Sequence, residues 1–223
     1  MQLFLVVLGG RSRGCHIEQH DVRFVAGERI DDTLPELRRQ WFGLQRGLHL
    51  DSWVRIERVE GWRVVLRREP FRDPMRLWFV NVGAYDPAGL AELHAFGLFV
   101  APSSRSAAAR AKRQLLVGAA QQHKDDVCAV EAPGISGPSL VAPQTLDTAA
   151  EPRRPGGARS ASATGSADSA WAVDDVLAVT QLGDWQVHLL PPEPGADTSW
   201  QPLRPDWFGY HRIDRRQDPG ESC

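Results

Sequence analysis

The chain has 223 residues, of which 42% are hydrophobic and 24% are charged, and its formal net charge is −2. These values are typical of a globular protein of one or two domains, and they provide no basic field that would hold nucleic acid or an anionic membrane. The three cysteines form no CxxC pair, which favours reduced thiols in a cytoplasm. We therefore expect a cytoplasmic protein with no nucleic-acid or membrane partner.

The opening MQLFLVVLGG predicts a strand rather than a secretory signal. It lacks the basic start of a signal peptide, and arginines follow where a cleavage site would lie. Gly9 and Gly10 come directly after this strand, as glycines do in phosphate-binding loops. Such a loop needs a helix behind it, whereas the next segment predicts another strand. The sequence predicts no nucleotide and no other cofactor.

Residues 1–72 have the pattern of a β-β-α-β-β unit. Apolar and β-branched runs predict four strands. They are Leu3–Leu8, Val22–Ala26, Trp53–Val59 and Trp62–Leu66. Thr33 and Glu36 have capping-box spacing, so a helix begins there, and Gly43 is a suitable residue to end it. Glu60 and Gly61 form a tight-turn pair between the last two strands.

The same unit recurs in diverged form, with Leu3 matching Leu77 and Gly9 matching Gly83. The second copy predicts strands at Leu77–Val82 and Leu98–Ala101, a helix capped by Ser103 and Ser104 that ends near Gly118, and a hairpin of Val176–Leu182 with Trp185–Leu190. The hairpin arrives late because a long insertion precedes it. The predicted fold class is α+β, with two tandem β-β-α-β-β repeats that pack together.

This reading divides the chain into four parts. Residues 1–72 form the first repeat, and residues 73–130 together with 171–193 form the second. Residues 131–170 contain no Phe, Trp or Tyr and are rich in Ala, Pro, Gly, Ser and Thr, which predicts a disordered insertion. Residues 194–223 form a C-terminal tail whose aromatic part is expected to pack on the body.

The quoted segments resemble a known family. LFLVVLGG, IEQHDVRFVAGERIDD, LRRQWFG and LHLDSW in the first copy, with NVGAYDPAGLAELH, KRQLLVG and HKDDV in the second, are similar to the bacterial domain-of-unknown-function family 1543. The resemblance implies a compact cytoplasmic α+β protein built from two similar units. It implies no activity. The long insertion after HKDDV departs from the family pattern.

Eight residues recur in both copies and are the candidate ligand-binding residues. They are Glu18, His20, His49 and Asp51 in the first copy and Glu92, His94, His123 and Asp125 in the second. A carboxylate beside a histidine can orient the imidazole for proton transfer or bind a metal, but such residues also fasten loops to sheets. We favour the fastening role, so no metal is predicted, and the catalytic residues are unknown. If the strand containing His20 neighbours the loop containing His49, each unit would bring two histidines and two carboxylates together.

Three functions remain open. We favour a non-enzymatic module that binds a small molecule or a protein partner in a groove between the two repeats. The second is a hydrolase- or lyase-like enzyme that uses the repeated His, Asp and Glu residues. The third is an assembly protein, a homo-oligomer that pairs exposed sheet edges.

Overall fold

The computed structural model describes residues 1–86, 88–115 and 172–214. The predicted insertion at 131–170 and the predicted helix end near Gly118 lie outside these residues. Within them the chain is mostly sheet, with two helices and eleven strands. No helix in the described ranges is long and apolar enough to cross a membrane.

The first repeat contains five strands and one helix. In chain order they are β1 Gln2–Gly10, β2 Gln19–Gly27, α1 Leu34–Gln40, β3 His49–Arg55, β4 Arg58–Val59 and β5 Trp62–Arg67. A short 3-10 turn precedes α1, and Pro35 lies in the first turn of that helix, where it removes no internal hydrogen bond. Helix α1 ends where Trp41 becomes extended.

The second repeat has the same order of elements. They are β6 Arg76–Tyr85, β7 Glu92–Ala101, α2 Ser104–Gln114, β8 Ala172–Ala178, β9 Gln181–Leu182 and β10 Trp185–Leu190. The hydroxyl of Ser103 accepts a hydrogen bond from the backbone N–H of Ser106, so the predicted cap of α2 is observed. The tail adds one more strand, β11 Trp207–Arg212.

The repeat pattern differs from the predicted β-β-α-β-β in one respect. The single strand predicted over Trp53–Val59 is two strands, because β3 ends at Arg55 and the two-residue β4 turns to pair with β5. The second repeat divides in the same way at β8 and β9. Each unit therefore reads β-β-α-β-β-β in the described residues.

The strands form three antiparallel sheets. Sheet A has the order β11-β3-β1-β2, sheet B the order β4-β5-β10-β9, and sheet C the order β7-β6-β8. Sheets A and C are the bodies of the two repeats. Sheet B joins them, because each repeat contributes one short hairpin to it.

Sheet B has a twofold register. In the pairing of β5 with β10, Val65 lies opposite His188, Arg63 opposite Leu190 and Arg67 opposite Gln186. The repeats align Trp62 with Trp185, so Val65 and His188 are equivalent residues. A pseudo-twofold axis therefore passes through the Val65–His188 pair and relates the two halves of the molecule.

The core is divided among three apolar clusters. Alternate residues of β1 face opposite sides: Leu3 and Leu5 join the cluster between the repeats, whereas Phe4, Val6 and Leu8 join the cluster beneath α1. Burial on both faces explains why β1 is a continuous apolar run rather than an alternating one. A third cluster lies between α2 and sheet C.

Candidate functional site

A row of three residues lies near one end of sheet A. On β1, Gly9 lies opposite His20 of β2 on one side and opposite His49 of β3 on the other. Glu18 comes just before β2. The register of three strands therefore places both histidines beside a glycine.

Gly9 makes the space that the cluster uses. A Cβ atom at Gly9 would lie 2.4 Å from Nε2 of His49 and 3.1 Å from Oδ2 of Asp51. These distances leave no room for any side chain. The neighbouring Gly10 serves a different contact, because a Cβ there would lie 2.8 Å from the ring of Trp41.

Asp51 contacts both histidines. Its Oδ2 lies 3.0 Å from Nε2 of His20, and its Oδ1 lies 3.1 Å from Nε2 of His49. The β1–β3 register shifts at this point, since Val7 pairs with Ser52 and Leu8 with Leu50. Asp51 is thus the extra residue of a β-bulge, a feature that commonly redirects a side chain near a functional site.

His49 is held on both ring nitrogens. Its side chain is only 2% exposed, and Nδ1 lies 2.8 Å from the carbonyl oxygen of Gly47. A carbonyl can only accept, so Nδ1 carries a proton. Nε2 faces Asp51 and, at 3.7 Å, Oε1 of Glu18. The ring of Tyr210 stacks over the imidazole at 4.2 Å between centroids.

The C-terminal tail supports the loop that positions His49. The N–H of Gly47 donates to Asp214 Oδ2 at 2.9 Å, and the N–H of Ile213 donates to the carbonyl of Leu48. The hydrogen bond from the guanidinium of Arg212, together with the one from the backbone N–H of Gly47, lowers the pKa of Asp214 to about 2. The two residues that follow β11 thus anchor the turn from which the imidazole projects.

In the first repeat the structure brings together two histidines and two carboxylates. They are Glu18, His20, His49 and Asp51. Cys15 and His16, which neighbour them in sequence, are directed elsewhere: the Cys15 thiol bonds locally to Ser12, and His16 is exposed.

The second repeat is different. Glu92 and His94 lie 3.6 Å apart, but the residue opposite Gly83 on β8 is Ala172, at the position that His49 has on β3. In sheet C the residue at the position of His49 is therefore Ala172, and the pairing of His49 with His123 and of Asp51 with Asp125 stays a prediction. His123 and Asp125 lie outside the described residues.

A repeated sequence pattern explains why the spacing pointed to a different segment from the one in sheet C. The pattern Asp-Asp-Val-x-Ala-Val occurs twice, at 125–130 and at 174–179. Constant spacing favoured the first occurrence, whereas hydrogen bonding in sheet C uses the second. Nothing in the apolar pattern distinguishes the two, so spacing alone could not have found Ala172.

A groove of about 630 Å³ lies between the repeats. We call it the inter-repeat groove. One wall is β2, an edge strand of sheet A, and the other is β8, an edge strand of sheet C in the described part of the chain. Its lining is mostly apolar and includes Val22, Phe24, Phe79, Leu177, Leu182 and Trp185. Phe24 and Phe79 meet edge to face at 5.7 Å.

The pseudo-twofold axis gives this groove a counterpart, a cavity of about 470 Å³ that the tail of the chain lines on one side. The counterpart is lined by Val54, Ile56, Val59 and Leu98, the equivalents of Leu177, Val179, Leu182 and Phe24. It is also lined by Ala196–Arg204 of the tail. Trp200 stacks on Phe99 with centroids 5.7 Å apart and planes 8° apart, and Leu203 packs against the central core.

Glu60 also closes the counterpart groove. It lies in the β4–β5 turn, and its carboxylate accepts from the backbone N–H of Val100 on β7 at 2.8 Å and pairs with Arg110 of α2. Gly183 is the equivalent turn residue beside the inter-repeat groove and offers no carboxylate there. The sequence identified Glu60 only as a turn residue.

The fold and the two sites define a class, a tandemly duplicated, sheet-rich α+β protein whose halves have diverged. One half has a histidine–carboxylate cluster, and the grooves of the two halves differ because the tail lines only one of them. Residues 15–66 and 89–133 match the model of the family described as Domain of Unknown Function (DUF1543). Two regions of the chain therefore match that family's model, and the resemblance predicted from the sequence is confirmed.

The chain is also similar to a solved structure, that of a protein Il1583 from Idiomarina loihiensis. The two are 29% identical, the match covers 95% of this chain and 97% of the other, and the TM-score is 0.57. No curated protein matches significantly. The comparisons support this fold and name no activity.

Proposed function

We propose that the protein is a binding module that holds an extended segment of a protein partner in the inter-repeat groove. One observation carries the proposal: the equivalent groove on the other side of the pseudo-twofold axis is lined by a segment of the chain itself, Ala196–Arg204, which contains no helix or strand. The tail is thus a template for what the open groove would accept.

The path of the tail indicates how the partner would be held. Beyond Arg204, the N–H of Asp206 donates to the carbonyl of Trp53, its carboxylate accepts from the N–H of Arg55, and Trp207 then pairs with Trp53 in sheet A. A segment that followed the same path in the other half would cross the inter-repeat groove and add a strand to the outer edge of β8. Strand addition supplies affinity through backbone hydrogen bonds, and the apolar lining supplies specificity.

The charges around the groove favour a peptide over an anionic ligand. Arg23 is paired with Asp21, and Arg39 is paired with Glu36 through two hydrogen bonds of 2.5 and 2.8 Å. A phosphate group would have to break these pairs. Apolar side chains and a neutral backbone would leave them intact.

The test is a peptide selection against the full-length chain with two matched variants. Synthetic copies of the peptides selected from a random displayed library are titrated by fluorescence anisotropy. Leu177→Arg places a charge in the groove, whereas Leu93→Arg changes an exposed residue of β7 outside it. We expect Leu177→Arg to weaken binding at least tenfold, about 1.4 kcal/mol, and Leu93→Arg to leave it within twofold.

A second readout locates the peptide. Amide exchange along β8 should slow on binding, because a new strand would protect its outer N–H groups. At a concentration of 100 times Kd the peptide should stabilise the native state by about 2.7 kcal/mol. Peptides that bind Leu177→Arg as tightly as the parent protein would contradict the proposal, and so would a selection that yields no binder.

A further inference from the structure

We propose that Glu18, His20 and His49 bind a divalent transition-metal ion of the zinc type. Each offers one ligand atom, and the three atoms lie within 4.8 Å of one another. Ligand atoms on a tetrahedral zinc, with bonds of about 2.0–2.1 Å, are roughly 3.3–3.4 Å apart. The 3.7 Å between His49 Nε2 and Glu18 Oε1 is within a few tenths of that spacing. This site is separate from the groove and does not depend on the function proposed for it.

The environment of His49 directs acceptor atoms at one point beside Nε2. Its Nδ1 donates to the carbonyl of Gly47 at 2.8 Å, so in the neutral imidazole Nε2 has a lone pair and no proton. That lone pair faces carboxylate oxygens of Asp51 and Glu18, which also can only accept. Three acceptors directed at one point leave either an extra proton or a metal ion to satisfy them.

The second coordination shell favours the metal. Histidines that bind metals usually donate their other ring N–H to a backbone carbonyl or carboxylate, which fixes the tautomer and the ring orientation. The bond from His49 to Gly47 has that form, and Asp214 and Ile213 hold the supporting loop from behind. A side chain 2% exposed and fixed in this way is preorganised for one ligand position.

The charge and accessibility of the cluster also suit a divalent ion. Glu18 and Asp51 together supply two negative charges, which balance the two positive charges of the metal. The side chains of His20 and Glu18 are 50% and 40% exposed, so an ion can reach the site from solvent. Imidazole with carboxylate is a donor set that suits zinc and its neighbours better than magnesium or calcium.

The second repeat supplies the control. Glu92 and His94 occupy the positions of Glu18 and His20, but β8 has Ala172 where β3 has His49. In the described residues the second repeat therefore has two of the three ligands. His94→Ala removes the same side chain as His20→Ala from a place where we propose no metal.

The experiment uses the full-length chain freed of metal with a chelator. ZnCl₂ is titrated by calorimetry in a non-coordinating buffer, CoCl₂ is added to parallel samples to record the visible absorption of tetrahedral cobalt, and MgCl₂ serves as the hard-ion comparison. We expect zinc to bind with one ion per chain and to raise the melting temperature, cobalt to become coloured, and magnesium to do neither.

The variants decide the ligand set. His49 is buried and its replacement can unfold the loop, so the half-exposed His20→Ala and Glu18→Gln carry the test. Loss of an outer-shell partner typically weakens metal binding 10–100-fold, so loss of a direct ligand should weaken zinc binding by about 100-fold or more. His94→Ala should bind zinc like the parent protein and keep the cobalt colour.

Two results would overturn the proposal. One is a parent protein that takes up no zinc. The other is zinc binding that survives both first-repeat variants or is lost equally in His94→Ala. Peptide binding at the inter-repeat groove is measured separately, so failure of one proposal leaves the other standing.

Discussion

Replacing Glu60 tests how much its contacts with the second repeat contribute to the free energy of unfolding. The side chain of Glu60 is 4% exposed and reaches across from the β4–β5 turn to the N–H of Val100 and the guanidinium of Arg110. Arg110 in turn donates to the carbonyl of Val100 at 2.9 Å. One carboxylate therefore satisfies a buried edge donor and a guanidinium that is 30% exposed.

These contacts determine the expected loss in the free energy of unfolding. Glu60→Ala leaves the Val100 N–H without its acceptor, at a cost of about 1–3 kcal/mol, and removes a partly exposed ion pair worth about 1 kcal/mol. The expected loss in the free energy of unfolding is about 2–4 kcal/mol. Glu60 also has a φ of +50°, so Glu60→Gly should be less harmful by about 1 kcal/mol because glycine relieves that conformation.

Urea denaturation followed by tryptophan fluorescence measures both variants, with melting temperature as a second readout. The alanine variant should melt roughly 5–15 °C below the parent protein, given about 2–4 °C per kcal/mol for a chain of this length. Gly183→Ala is the matched control. Gly183 is the equivalent turn residue, has a φ of +56° and has no side chain that could contact the other repeat. It should lose only about 1 kcal/mol. A Glu60→Ala variant as stable as the parent protein, or one less affected than Gly183→Ala, would refute the reasoning.

Three further predictions concern the cluster and the tail. Gly9→Ala should displace the imidazole of His49 and cost about 2 kcal/mol or more, since the new Cβ would lie 2.4 Å from Nε2; a crystal structure with His49 unmoved would contradict this. Trp200→Ala should uncover the ring of Phe99 and lower the free energy of unfolding by about 3 kcal/mol, measured by urea titration; a loss below about 1 kcal/mol would show that the tail is not bound there. Because the folded pKa of Asp214 is lowered from 3.8 to about 2, its stabilising contribution is present above pH 3.8 and is lost as the pH falls towards 2. Asp214→Asn should therefore be less stable than the parent protein at pH 6, and the difference in stability should be smaller at pH 2. Acid titrations at fixed urea measure this difference. An equal difference at both pH values would count against the role of the carboxylate.

The sequence predicted the elements that depend on local pattern. The apolar run of β1, the cap at Ser103 and the turn at Glu60 and Gly61 are all visible in a few neighbouring residues. The duplication was also visible, because the same elements recur in the same order. These features depend on short-range geometry, which the sequence states directly.

The sequence could not predict the features that depend on pairing between distant strands. The row of His20, Gly9 and His49 exists only because β1 pairs with both β2 and β3 in one particular register. The reach of Glu60 to β7 depends on how the two repeats pack. The equivalence of His49 with Ala172 depends on which of two nearly identical segments enters sheet C.

The pairing of Val65 with its own equivalent, His188, means that the molecule has the geometry of an isologous dimer written into a single polypeptide. In a true homodimer any change made on one side of the axis is made on the other as well. Covalent joining removes that constraint. Here one half has Ala172 where the other has His49, and only its groove is lined by the tail and Glu60. Sheet B and the apolar cluster between the repeats therefore hold together two halves whose residues can change independently.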